Sequence, residues 1–275
     1  IPVLALAPHR HAELTQFVRH AGARALFISE RVRGFDHRQM ADELRPICPT
    51  LEQVFVAGEA LPGQVSLARL LHDTAAPEAA ALPSIDPGEV ALMLLSGGTT
   101  ALPKLIPRTH DDYVLNAKAS GRVARIDEST VMLIILPLGH NYNLASPGML
   151  ACFAVGATVV LSPGHAAEVV FPLVERHRVT LIPAAVPLVT AWLNSDAPLR
   201  HDLSSLRIIQ NGGARLAPEL RRRVREQWGC IAQEVYGTAE GLINIVPPDA
   251  ADELLLESSG APICDEDELK VVDRD

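Results

Sequence analysis

The segment Ser96 to Lys104, SGGTTALPK, packs two glycines, three hydroxyls and a lysine into nine residues directly after the apolar run Val90–Leu95. That composition suits phosphate. Glycines let backbone N–H groups converge on an anion, hydroxyls donate to phosphate oxygens, and a lysine adds a point charge. The spacing is not that of a Walker A loop, whose lysine directly follows its second glycine; here Lys104 follows Pro103. From these residues alone a phosphate site and a structural polar turn are equally good readings. Three other places carry chemistry-bearing types: His140 within LPLGHNYNLASPG, the pair Gly212-Gly213 after LRIIQN, and Glu240 within QEVYGTAEGLIN. Each has an ordinary reading when isolated: a structural or surface histidine, a turn, a solvated carboxylate.

The elements that must position them alternate. Short apolar runs (25–29, 53–57, 90–95, 132–137, 158–161, 181–183, 206–210, 230–236) separate amphipathic stretches (12–21, 110–123, 167–178, 187–194, 218–228). This predicts an α/β fold with strands covered on both faces. Pro and Ala clusters over 75–87 predict a loop or linker. Subdomains are expected over 1–125, carrying the glycine-rich loop, and 126–275, carrying the later motifs. The basic run LRRRVR at 220–225 predicts a solvated helix face, or else a contact surface for an acidic partner.

With 275 residues, 48% of them hydrophobic, the chain can bury a large core. Its net charge of −9 draws it toward neither nucleic acid nor an anionic membrane. Met149–Leu161, the longest apolar stretch, is too short to span a bilayer and is interrupted by Gly156, which predicts packed core. Cys48, Cys152, Cys230 and Cys264 are scattered without zinc spacing, as expected of buried, reduced thiols in a cytoplasmic enzyme.

SGGTTALPKLIPRTH resembles the signature loop of the adenylate-forming superfamily, which includes acyl-CoA synthetases, peptide-synthetase adenylation domains and luciferases. LIPRTHDDY, HNYNLASPG and YGTAEGLIN resemble its aryl-acid-AMP ligase branch, typified by 2,3-dihydroxybenzoate-AMP ligases. The resemblance implies part of the large αβαβα-layered N-terminal domain of that fold, without the small C-terminal domain. It implies that Ser96, Gly97, Gly98, Thr99, Thr100 and Lys104 contact ATP phosphates. Gly212, Gly213, Ala214, Glu234, Val235, Tyr236, Gly237, Thr238 and Ala239 would surround the nucleotide, the glycines against the adenine face and Tyr236 offering a ring. Glu240 would be the Mg²⁺ ligand. His140 would gate the carboxylate, while Asn141, Tyr142, Ser146, Gly213, Gly241 and Leu242 would form the acid pocket. His140, Lys104 and Thr100 would serve the reaction itself. Serine at position 146 points within the branch to 2,3-dihydroxybenzoate, where cysteine points to salicylate; Asn143 departs from the usual Pro or Ala. Ala101 departs from the superfamily's glycine, which would strain the loop if φ there is positive.

The implied reaction activates an aromatic acid with Mg·ATP to an acyl-adenylate and pyrophosphate. The acyl group then passes to a carrier protein's phosphopantetheine thiol, in siderophore or aryl-capped peptide assembly. The superfamily's ribose-binding Asp, hinge and C-terminal catalytic Lys have no counterpart before Asp275, and its first hundred residues have none before Ile1. A fragment of a longer enzyme is therefore expected. The rival readings are an aromatic acyl-CoA ligase and a catalytically incomplete nucleotide-binding relative.

Overall fold

The structure, a computed structural model, describes residues 1–73, 84–96, 103–270 and 272–273. Packing divides the chain into Ile1–Pro107 and Arg108–Asp275.

The first unit contains α1 (His11–Ala21), β1 (Ala25–Ser29), a hairpin of β2 (Arg31–Val32) and β3 (Phe35–Asp36), α2 (His37–Leu44), β4 (Gln53–Ala57), β5 (Val65–Ser66), α3 (Leu67–Asp73), β6 (Val90–Leu95) and the start of β7 (Leu105–Thr109), whose last two residues belong to the second. A parallel sheet orders β1, β4 and β5. Its core is supplied by Leu14, Phe17 and Val18 at helical spacing on α1, by Met40, Ala41 and Leu44 on α2, and by Val54 and Val56 on β4. Most of the expected linker lies outside the described residues.

The second unit continues with α4 (His110–Val123), β8 (Val131–Ile134), α5 (Asn141–Ala145), α6 (Gly148–Val155), β9 (Thr158–Leu161), α7 (Ala167–His177), β10 (Leu181–Ala184), α8 (Val186–Leu193), β11 (Ile208–Gly212), α9 (Pro218–Trp228), β12 (Ile231–Gly237), β13 (Ile243–Ile245), α10 (Asp252–Glu257) and β14 (Ala261–Pro262). Its sheet runs β14-β13-β12-β11-β10-β8-β9. The strands from β12 to β9 are parallel, and β13 and β14 add an antiparallel edge. Side-chain alternation sorts the parallel strands between two cores. Leu133, Ile182, Ile209 and Ala232 pack with α7, α8 and α9 around Phe171, Trp192 and Trp228. Met132, Ile134, Leu181 and Ile208 pack instead with Ala151 and Cys152 of α6. Helices thus cover both faces, as the near-continuous apolar strands require. Chain order reverses at β8: β9 lies on one side of it and β10 on the other. In open sheets of this kind, ligands usually bind at the carboxyl ends of the strands beside such a reversal.

Three expectations need correction. The strand expected at 206–210 forms at Ile208–Gly212, because Gln210 and Asn211 pair with Gln233 and Glu234 and draw Gly212 into the ladder opposite Val235. Met149–Leu161 is only partly core, since Phe153 and Leu161 are about 60% exposed on α6 and edge strand β9. No helix among the described residues is long and apolar enough to cross a membrane. The third correction is in LRRRVR. Arg222, Arg223 and Arg225 face outward, but Arg221 is 2% exposed, on the face it shares with Val224 and Trp228.

What permits that burial is Glu234 on β12, whose carboxylate lies 2.9 Å from Arg221 Nη2. Arg221 also donates to the carbonyls of Leu216, Leu255 and Ser258. Burial lowers the Arg221 pKa and raises that of Glu234 above 4.5, each offset in part by the other's charge. Replacing Arg221 with Met strands a buried carboxylate and is expected to cost about 3–5 kcal/mol in chemical denaturation, most of it recovered by adding Glu234→Gln. A carboxyl with a raised folded pKa loses its stabilising contribution as pH rises above 4.5, so the Arg221→Met deficit should shrink on acidification from pH 7 to 5. A single variant as stable as wild type would contradict the pair's role.

Candidate functional site

The loop leaving β8 at the chain reversal ends at His140, the N-cap of α5, whose Nδ1 accepts the Tyr142 N–H at 3.2 Å. An accepting Nδ1 carries no proton, so the neutral ring presents Nε2–H. His140 is exposed, and desolvation of the part of its ring that packs against neighbours lowers its pKa from 6.5.

Behind it, α5 and the turn after it hold the polar pair expected for an acid. Asn141 is 8% exposed and Ser146 2%. Asn141 Nδ2 donates to Ser146 Oγ at 2.9 Å, and Asn141 Oδ1 accepts the Tyr113 hydroxyl at 2.8 Å. Burial raises the Tyr113 pKa above its usual 10, so it remains a neutral donor. Tyr142 turns the other way, against β11. A Cβ on Gly212 would stand 2.9 Å from the tip of the Tyr142 ring, so what Gly212 admits is a protein ring. Gly213, at φ 83°, has open space beside it, and Ala214 is fixed by its carbonyl to Asn211 Nδ2. Asn143 is fully buried and its amide has no hydrogen-bond partner among the described residues.

The strand β12 delivers the third motif. The Glu234 carboxylate is engaged by Arg221, Asn211 and the Leu216 N–H. Val235 is core. Tyr236 is half exposed and Gly237 exposed at the strand's end. The Thr238 N–H then bonds to the Leu242 carbonyl at 2.9 Å, closing a turn whose exposed tip is Glu240. Gly241 sits there at φ 138°, a conformation side chains rarely adopt. Glu240, Gly241 and Leu242 border a cleft of about 370 Å³ whose far wall includes Asp112, Asn116 and Cys264. An exposed carboxylate on a fixed turn suits Mg²⁺, which takes few protein ligands and keeps phosphate and water oxygens.

In the first unit, Ser96 Oγ accepts the Lys104 N–H at 2.9 Å, and the Ser96 N–H bonds to the Lys104 carbonyl at 3.1 Å. These close the neck of the glycine-rich loop. Gly97, Gly98, Thr99, Thr100 and Ala101 lie outside the described residues.

Sequence reasoning assigned nothing to Arg108, Asp112, Tyr113 or Asn116, although Arg108, Tyr113 and Asn116 are buried and the partly exposed Asp112 pairs with Arg108. The signal was there: 108, 112 and 116 recur every four residues from the last strand residues into α4.

The chain matches the AMP-binding enzyme family from residue 1 to residue 275. It belongs to that family. It is 43% identical to the 2,3-dihydroxybenzoate-AMP ligase of Bacillus subtilis, over 99% of this chain and 50% of that protein. It is also 43% identical to the salicyl-AMP ligase / salicyl-S-ArCP synthetase of Mycobacterium tuberculosis, over 100% of this chain and 48% of that one. The apo structure of Mycobacterium smegmatis MbtA superposes with a TM-score of 0.88 at 37% identity, covering all of this chain and 49% of that chain. This AMP-binding enzyme chain thus spans about half the length of the curated relatives it matches. The resemblance to the aryl-acid branch holds along the whole chain, with the α/β layers of part of the adenylate-forming fold. Cys48, Cys152 and Cys230 are buried and Cys264 is half-buried, all four unbridged. Burial pushes the Cys152 and Cys230 thiols up to about 12, as inert packing groups.

An NMR titration of His140 is expected to give a midpoint below 6.5. Because the unfolded ring takes its proton at 6.5 and the folded ring resists it, stability should fall as pH drops through that window, and His140→Gln should flatten the effect. A midpoint at or above 6.5 would contradict the partial desolvation of the ring.

Proposed function

We propose that this chain forms the acid-binding and nucleotide-binding core of an aryl-acid-AMP ligase, whose first-choice substrate is 2,3-dihydroxybenzoate. The observation that carries the reading is the Asn141–Ser146 pair, 2.9 Å apart at the sheet's reversal. It supplies uncharged polar groups to ring oxygens and no carboxylate that would recruit an amine. The two relatives of equal identity carry the names of 2,3-dihydroxybenzoate and salicylate enzymes. Choice between those acids therefore rests on Ser146, whose hydroxyl suits a second ring oxygen.

The chemistry needs no protein nucleophile. The acid's own carboxylate attacks the α-phosphorus of ATP and pyrophosphate leaves, so the protein works by positioning and by balancing charge. Neutral His140 donates from Nε2 to an oxygen at the reacting carboxylate or α-phosphate. Ser96, Lys104 and the glycine-rich loop between them, with Thr99 and Thr100, bind phosphate oxygens. Gly213, Ala214 and the 236–239 segment form the nucleotide's walls, largely through backbone groups. Mg²⁺, held by Glu240, neutralises phosphate charge when bound. The acyl group then passes to a phosphopantetheine thiol on a carrier protein, serving siderophore or aryl-capped peptide assembly. Buried, unbridged cysteines fit a cytoplasmic enzyme.

Acid-dependent pyrophosphate exchange by the full-length protein, across 2,3-dihydroxybenzoate, salicylate and an amino acid, tests this. Exchange is expected with the aryl acids alone. Asn141→Asp should lower it by at least about 100-fold, because a buried carboxylate opposes the acid's charge. Exchange driven by the amino acid, or an unaffected Asn141→Asp enzyme, would sink the assignment.

A further inference from the structure

Arg108 and Asn116 have no part in the reading above, yet they lie between its two halves. Arg108 is 2% exposed, and a cation at that depth needs partners for its donors. Its guanidinium forks onto both oxygens of Asp112. It also donates from Nη1 to the Ala239 carbonyl at 3.0 Å, directly before Glu240, and from Nη2 to Asn116 Oδ1 at 3.3 Å. A Cβ on Gly241 would stand 3.8 Å from the same Nη2. The turn presenting Glu240 is therefore held from beneath by Arg108.

The Asn116 amide carries this constraint to the acid pocket, and chemistry fixes which way it points. Arginine has no acceptor, so the atom facing it must be the oxygen. At the other end the amide meets the Ala145 carbonyl, which has no hydrogen, so that atom must be the nitrogen. The same Nδ2 donates to Ser146 Oγ at 3.2 Å. Ser146 Oγ receives a second hydrogen from Asn141 Nδ2, whose oxygen is occupied by the Tyr113 hydroxyl. A hydroxyl oxygen accepts two hydrogen bonds. With both places taken, the Ser146 hydrogen has no acceptor among the described residues.

We propose that Arg108 and Asn116 are positioning residues that hold the Ser146 hydroxyl as a hydrogen-bond donor toward the bound acid. The same pair ties that donor to the turn of Glu240. The acids favoured are those with an oxygen acceptor on the ring facing Ser146, in preference to acids with only a C–H there. This inference rests on the aryl-acid reading above.

The test compares kcat/KM for 2,3-dihydroxybenzoate with that for salicylate in the full-length protein, by pyrophosphate exchange. The ratio is taken within one preparation, so any inactive fraction cancels. Wild type should favour the dihydroxy acid. Asn116→Asp keeps the shape but can only accept, so the Ser146 hydrogen turns inward to the new carboxylate. The ratio should then fall about tenfold, the worth of one hydrogen bond. Arg108→Lys, which keeps the charge and loses the fork, should lower the ratio and also raise KM for Mg·ATP through the Glu240 turn; a merely structural arginine would lower kcat for both acids alike. Ratios within twofold of wild type in both variants would overturn the relay. A wild type that activates neither acid would overturn the functional reading beneath it, which is a separate failure.

Discussion

The parallel alignment of β8, β10, β11 and β12 is the constraint on which the second unit's chemistry depends. Parallel strands send all their carboxyl ends to one edge, so loops far apart in sequence, after Ile134, Gly212 and Gly237, emerge side by side. Tyr142, from the first of these loops, packs back against Gly212 at the start of the second. Covering helices make the alignment possible. Once α7, α8 and α9 bury one face and α6 the other, the ladder's register is set by which side chains reach each core.

Polar groups at that edge are buried, and each carries conditions. Arg221 survives in the interior because Glu234 and three carbonyls receive it, and the same contacts hold β12 against α9. Arg108 survives because Asp112, Asn116 and the Ala239 carbonyl take its donors. Both networks are stiff, since a lost partner would leave a charge stranded in low dielectric. Under the proposed function, such stiffness would serve to hold the acid and the nucleotide in register.

Much of this was legible in the residues. The apolar runs of the sheet and helices α4 and α9 could be located from periodicity because each is long or strongly patterned. The motif positions His140, Asn141, Ser146 and Glu240 were legible through resemblance, since each is ordinary by itself. Pairings settled by tertiary contact were hidden. Arg221 reads as one more surface charge until Glu234 is found opposite it, and Gly212 reads as a seat for a flat ligand until Tyr142 fills that space. The register of β11 depended on partners over twenty residues away. Arg108 lay in a motif read for the residues around it and Asn116 just beyond that motif, and their spacing became meaningful only with the Ala239 carbonyl in place.

The most direct measurement is a crystal structure of the full-length protein with a non-hydrolysable 2,3-dihydroxybenzoyl-adenylate analogue. The account predicts the aryl ring within hydrogen-bonding distance of Asn141 and Ser146, at the carboxyl edge of β8, with the adenylate's base beside Gly213 and the 236–239 segment. An analogue bound with its ring away from Asn141 and Ser146 would contradict it.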